Sequence, residues 1–304
     1  MMTTGAEARG YAYIALSSLL FAIGFSFVSA TGWAFSVWQL VFIRGVVFAV
    51  VLLPWAVRHP EAARGANRRL LLVRGILGTL MAACLLSAII VLPLSIATLL
   101  AKTTPLWELL IVWAVFALRP FMGEVLLVPV ALLGLALILH SEGHLGLFTL
   151  SHIGLLLGLL AGLWNSLEYI TLNRVRRSDP ASTINLWYAA TAIVLTFPFA
   201  IAQPWPDELR IWLLVAAFCL CSLGGQMLLA HGMHSVSPTI ASVGTLLVPI
   251  FATLIAWVVF GQRLSGLELV GIAMVLTAGA WVIQMEGRHR AALAAATLRW
   301  RRTP

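Results

Sequence analysis

Residues 96–143, IATLLAKTTPLWELLIVWAVFALRPFMGEVLLVPVALLGLALILHSEG, decide how this chain is read, because the stretch occurs twice. Displaced by 144 positions, without a gap, it lands on 240–287. Ala97 falls on Ala241, Pro105 on Pro249, Trp113 on Trp257, Phe116 on Phe260, Arg119 on Arg263, Glu124 on Glu268 and Glu142 on Glu286. The same displacement carries Gly10 onto Gly154 and Pro54 onto Pro198. The chain therefore reads as two halves of one design, 10–153 and 154–287, followed by a basic tail over 288–304. A duplicated unit bounds the architecture before any local reading. This unit is far longer than a solenoid repeat and almost wholly apolar.

Composition gives the solvent. Of the 304 residues 61% are hydrophobic and 10% charged, whereas a soluble domain carries about 25% charged residues. A helix needs ~20 apolar residues to cross a hydrocarbon core, and the chain has room for about ten such crossings. We place them at 11–30, 34–56, 69–90, 94–117, 123–140, 152–173, 182–202, 209–232, 237–260 and 266–285. Helices satisfy their own backbone in lipid, and nothing alternates as an outer-membrane strand would. The first run lacks a basic leader and is followed by further spans, so it reads as a helix and not a signal peptide. The net charge of +8 belongs to arginines clustered between apolar runs, which points to a membrane rim and away from nucleic acid. Cys84, Cys219 and Cys221 lie inside apolar runs without metal-ligand spacing and read as packing residues.

Charge also orients the chain. With the N-terminus in the cytoplasm, fourteen of the nineteen Lys and Arg residues fall inside, two outside (Arg210 and Arg263) and three within spans (Arg44, Arg74 and Lys102). The positive-inside rule then puts both termini in the cytoplasm of an inner, or plasma, membrane. Five spans per half is an odd number, so the second half enters from the opposite side. The expected fold is an all-α membrane protein of ten transmembrane helices built as two inverted-topology five-helix repeats. That construction recurs in secondary transporters, with the solute site near the midplane between the repeats.

The residues Pro105, Trp113, Phe116, Arg119 and Glu124, with their copies Pro249, Trp257, Phe260, Arg263 and Glu268, resemble the repeated motif of EamA domains in the drug/metabolite transporter superfamily. The resemblance covers about 11–286, and Arg44 sits where such proteins often carry an arginine. It implies transport of small metabolites, commonly export, without naming the solute. Two departures stand at the turns: Ala117-Leu118-Arg119-Pro120 lacks the usual Gly-Glu pair, and Gly261-Gln262 replaces it in the second copy.

Ionisable groups inside a bilayer cost roughly 2.5–3.5 kcal/mol each on insertion scales and are functional candidates by default. Lys102 leads them, beside Thr103, Thr104 and the helix-breaking Pro105, which frees the Ala101 carbonyl. Its counterpart stretch Thr245–Pro249 keeps the proline without a charge. Arg44, at mid-bilayer, reads either as an anion ligand or as a structural tie between helices. Arg74, near a span end, reads as snorkelling to the headgroups. Glu108 reads as an ion-pair partner of Arg44 or Arg74, or as a proton carrier. Glu168, Asn165 and Tyr169 share one helix face with Trp164 beside them, as cavity lining or as helix–helix hydrogen bonds. Gln226 and Tyr188 complete the substrate-binding set, with Gln39, Asn185 and His231 as weaker polar candidates. Pro105 and Pro249 are the gating kinks. Gly75, Gly78, Gly154, Gly158 and Gly162 suit close helix contact.

Three cations against two anions give the interior a positive bias. The reading is a secondary transporter, exporter or exchanger, of a small anionic or zwitterionic organic metabolite, working by alternating access. The alternative is a proton-coupled exporter of cationic amino acids or drugs through a membrane glutamate. A remote alternative is an intramembrane enzyme, for which no matched catalytic set is visible. No cofactor, metal or nucleic acid is expected. The partners are a solute, protons as a coupling ion and the lipid bilayer, for a monomer or homodimer.

Overall fold

The structure is a computed structural model that describes residues 5–104, 107, 110–111, 130, 133–134, 150–176, 178–235, 244–261, 265–267, 269–274, 276–277 and 281. Among the described residues the chain is helical: α1 Gly5–Thr31, α2 Val37–Arg58, the short α3 Pro60–Arg64, α4 Arg68–Val91, α5 Leu94–Ala101, α6 Leu150–Val175, α7 Ala181–Ile201, α8 Leu209–Ser235 and α9 Leu247–Phe260. Six of these, α1, α2, α4, α6, α7 and α8, are long and apolar enough to cross a membrane, and α9 is a shorter apolar helix. The expected helix over 123–140, residues 237–243 of the ninth span and the tail 288–304 lie outside the described residues, apart from the isolated Val130, Leu133 and Gly134.

Local sequence explains the ends. Ser36 caps α2 in a reciprocal capping box with Gln39, which satisfies two otherwise orphan amides. Asn67 caps α4 through the Leu70 amide at 3.2 Å. Pro60 opens α3, where a missing N–H costs nothing. Pro54 and its counterpart Pro198 both sit inside helices, α2 and α7.

The fourth span, expected as a helix over 94–117 with a kink at Pro105, is interrupted just before that proline. Its described helix α5 stops at Ala101, and the chain turns at Lys102 and Thr103. Two causes are local. Pro105 has no N–H to donate to the Ala101 carbonyl, and the threonine hydroxyls take over helical carbonyls. Thr103 Oγ1 donates to Leu100 O at 2.7 Å, and Thr104 Oγ1 donates to Ala101 O at 3.1 Å. The carbonyl orphaned by Pro105 is thus satisfied by the neighbouring side chain. In the second copy the same position, Leu246, is again a turn, immediately before α9.

Apolar side chains point outward, as in a lipid-facing bundle: Val50, Leu53 and Val57 on α2, Val194 on α7 and Val258 on α9 are exposed. Inside, α1 packs along α8, α4 along α6, and α2 along α7. Further contacts join α1 to α9, α5 to α6, α4 to α7, α2 to α8 and α5 to α9. The displacement of 144 pairs α1 with α6, α2 with α7, α4 with α8 and α5 with α9, and exchanging the partners leaves this set of packings unchanged. Glycines allow the closest approaches. A Cβ on Gly158 would meet Leu100 at 2.8 Å, and one on Gly75 would run into Thr191.

The bundle has two unlike ends. At one, α3 is tied to the start of α7: Thr183 Oγ1 donates to Ala62 O at 2.8 Å, the Trp187 indole to Ala63 O at 3.2 Å, and the Ala66 amide to Asp179 Oδ1 at 2.7 Å. At the other, Trp205 stacks on Trp212 at 5.7 Å with Phe35 edge-on at 5.1 Å. There the Gln39 amide donates to Gln203 O and Pro204 O at 3.3 and 3.0 Å. The turn 32–36 and the described residues of its counterpart, Arg176 and 178–180, therefore lie at opposite ends, separated by the 22 residues of α2.

Candidate functional site: a central cavity with a cationic collar

A cavity of about 670 Å³ enters the bundle between the halves. Its mouth is at the α3 end, where Arg176, Ser178, Asp179 and Ser182 line it. The expected substrate-binding residues Arg44, Lys102, Asn165, Glu168, Tyr169 and Gln226 all line this one space. So do Asn185, His231 and Arg74. Glu108 and Pro105 lie outside the described residues. Pro249 is buried in the first turn of α9, next to the lining residue Val248. Gln39 serves the closed end and not the cavity.

Two expected ligands stand behind the wall. Trp164 faces the Cys84 thiol of α4. Tyr188 is 2% exposed and serves as a floor. The Arg44 guanidinium lies 5.2 Å above its ring and the Arg74 guanidinium 5.4 Å above it. Arg44 also stacks on Phe48 at 5.2 Å and Phe218 at 6.0 Å. Cation–π contacts of this kind are worth about 2 kcal/mol each when desolvated, which lets two guanidinium groups share one aromatic floor.

Arg74 corrects the snorkelling expectation. It is 3% exposed, and its Nη2 meets Glu168 Oε1 at 2.8 Å across α4 and α6. The signal for this was local: Gly78, one turn on, leaves room for the group. A Cβ there would lie 3.3 Å from Arg74 Nη1 and 3.1 Å from Tyr188. Asn165 does more than line the cavity, since its Nδ2 donates to Thr104 Oγ1 at 2.9 Å and joins α6 to the broken fourth span.

What faces the cavity decides its chemistry. Glu168 Oε1 is engaged by Arg74, and Oε2 is buried without a partner among the described residues, as are Arg44 Nε, Arg74 Nε and Nη1, Asn185 Oδ1 and the Tyr188 hydroxyl. Outside that buried set remain the terminal nitrogens of Arg44, the Lys102 ammonium and the Asn185 amide nitrogen, on residues that line the space. All are donors. Gln226 adds an amide of both kinds. Among the described residues the collar sets Arg44, Arg74 and Lys102 against Glu168, and the electrostatic influence of Glu168 reaches the Lys102 ammonium. Lys102 ends α5, where the helix dipole also favours a cation. Among the described residues no group of three or more His, Cys, Asp or Glu could hold a metal ion.

Comparison with known proteins gives this geometry its setting. The pseudopaline exporter CntI of Pseudomonas aeruginosa (strain UCBPP-PA14) is 24% identical over 266 residues, which is 86% of this chain and 92% of that protein. The same exporter from strain PAO1 is 24% identical over 270 residues, with the same coverage. One solved crystal structure, 18% identical, superposes with a TM-score of 0.63 over 91% of this chain and 96% of the other, and shares the fold. The EamA-like transporter family matches twice, over residues 8–140 and 152–284. The protein, an integral membrane transporter of small molecules, belongs to the EamA-like transporter family.

Proposed function

We propose that this protein is a secondary transporter of a small organic metabolite bearing a carboxylate, bound at the collar of Arg44, Lys102 and Asn185 and moved by alternating access. The observation that carries the reading is the cationic collar: Arg44 and Lys102 line the cavity, while the carboxylate of Glu168 is engaged by Arg74 at one oxygen and buried at the other. An anion, or the anionic end of a zwitterion, offsets the cost of burying those cations. The rival reading, a cation exporter acting through Glu168 or Glu108, needs a carboxylate open to the solute; Glu168 is held by Arg74 at 2.8 Å, and Glu108 lies outside the described residues.

The transport cycle we propose rests on ten spans in two inverted repeats, 10–153 and 154–287, followed by the tail 288–304. Support comes from the exchangeable packing of equivalent helices and from equivalent turns at opposite ends. The paired turns before Pro105 and Pro249 are the hinges on which the halves rock. The arginine-rich end, carrying Arg58, Arg64, Arg68, Arg174 and Arg176, is the cytoplasmic side of an inner membrane, so the described state is inward-facing with the aromatic end shut.

Flux in proteoliposomes tests this. Purified protein is loaded with a mixed panel of organic acids, amino acids and amines, and exchange is followed by mass spectrometry. Carboxylates crossing unchanged, with flux lost in Lys102→Met, is the expected result. Flux confined to amines, lost in Glu168→Gln and kept in Lys102→Met, would overturn it.

A further inference from the structure

The two copies do not line the cavity alike. Phe21 and Phe25 on α1 occupy the positions that Asn165 and Tyr169 hold on α6, and both pairs line the cavity. Ala82 stands where Gln226 stands in the second copy, again with both in the lining. At each of these positions the first copy is apolar and the second polar. The Phe21 and Phe25 rings are near parallel, 6.1 Å apart at 17°. Phe218 backs Phe25 at 6.4 Å, and a Cβ on Gly225 would already meet the Phe21 ring at 3.2 Å. This wall is therefore held by packing.

The apolar surface is also displaced in depth. The start of α4 lies at the mouth, where Ala66 bonds Asp179. Moving inward along α4, Arg74 comes first, then the lining residues Met81, Leu85 and Leu86. At 1.5 Å per helical residue these sit about 10–18 Å deeper than Arg74. On the fourth span Lys102 lies towards the mouth, and Thr98 is one turn deeper, its hydroxyl bonded to Leu94 O and Ser95 O. The cavity thus runs from polar residues at the α3 end past a cationic collar to an apolar inner end.

We infer that the solute is an amphipathic organic anion whose apolar body fills the inner end against Phe21, Phe25, Met81 and Leu86 while its carboxylate rests on the collar. This deepens the carboxylate reading and rests on it. The specificity determinants are then Phe25 and Leu86, and compact hydrophilic acids such as lactate are poor ligands. The cavity volume falls in the ordinary range for small-molecule sites.

A chain-length series tests the inference. Dissociation constants of the purified full-length protein are taken from thermal-midpoint shifts with straight-chain carboxylates from propionate to octanoate, and primary alcohols of equal length report partition into detergent. Each buried methylene is expected to raise carboxylate affinity about fourfold, with no midpoint shift from the alcohols. Phe25→Asn and Leu86→Asn are expected to flatten the slope, with the loss growing from propionate to octanoate. The wild-type slope decides the matter even where a variant fails to fold. Equal binding at every length would overturn the apolar-end inference and leave the carboxylate site standing. Binding by no carboxylate, or alcohols matching the acids, would overturn both.

Discussion

Arg44 and Arg74 in the first copy have Tyr188 and Phe218 as their counterparts in the second, and Lys102 has Leu246. The two halves share a backbone plan and divide the chemistry. The first copy supplies every cation of the collar, and the second supplies aromatic rings beneath them: Arg44 lies over both Tyr188 and Phe218, and Arg74 over Tyr188. The turn before the repeated proline is present in both copies, yet only one carries a charge. Duplication explains the scaffold, and divergence at equivalent positions explains how a symmetric scaffold acquires one site with a direction.

Breaking the ion pair between copies gives the largest expected effect. Glu168→Leu leaves Arg74 buried without its partner, which costs about 3–5 kcal/mol. The double variant Arg74→Met with Glu168→Leu recovers most of that loss. Unfolding in SDS titration, followed by intrinsic fluorescence, separates the two cases. Equal destabilisation by the single and double changes would show that the pair, though 2.8 Å long, does not hold α4 to α6.

The next effect sharpens the contrast between the proline turns. Lys102→Met removes a charged donor worth about 1.5–3 kcal/mol to a bound anion, so exchange at low solute falls about 10- to 100-fold. Leu246→Met, at the equivalent position, leaves initial rates in proteoliposomes unchanged. Comparable losses at both positions would assign the role to the turn itself and not to its charge.

A smaller change is expected at the turn's hydrogen bonds. Thr104→Val deprives the Ala101 carbonyl and Asn165 of a partner, at about 1–3 kcal/mol for buried groups left unsatisfied. Its midpoint in thermal unfolding should fall, whereas Leu247→Met beyond the second turn should move it little. The gentlest test concerns the floor. Tyr188→Phe keeps the ring beneath both guanidinium groups and removes a hydroxyl that has no hydrogen-bond partner among the described residues, so stability stays within about 0.5 kcal/mol of wild type.

Much of this was legible in sequence for a physical reason. Long apolar runs have few solutions in lipid, so six spans fall within a few residues of their expected places. The exact repeat spacing exposed the duplication. The polar face Asn165, Glu168 and Tyr169 followed from helical geometry alone. Arg74 was misread because distance from a span end cannot tell a snorkelling arginine from one drawn inward by a carboxylate on another helix. Tyr188 was legible as polar, but its place beneath two guanidinium groups depends on tertiary packing. The turn at Lys102 was foreshadowed by Pro105, while the takeover of the Ala101 carbonyl by Thr104 needed coordinates. The division of the lining into polar and apolar walls required both the repeat register and the cavity.

The most direct test of the central claim, a donor-faced collar built by one copy, is a matched pair of probes of opposite charge. Thermal midpoints of wild type and Lys102→Met are measured with hexanoate and with hexylamine at equal concentrations. The account predicts that hexanoate stabilises the wild type, that hexylamine does not, and that Lys102→Met loses the hexanoate shift. Stabilisation by hexylamine alone, unchanged in Lys102→Met, would contradict it.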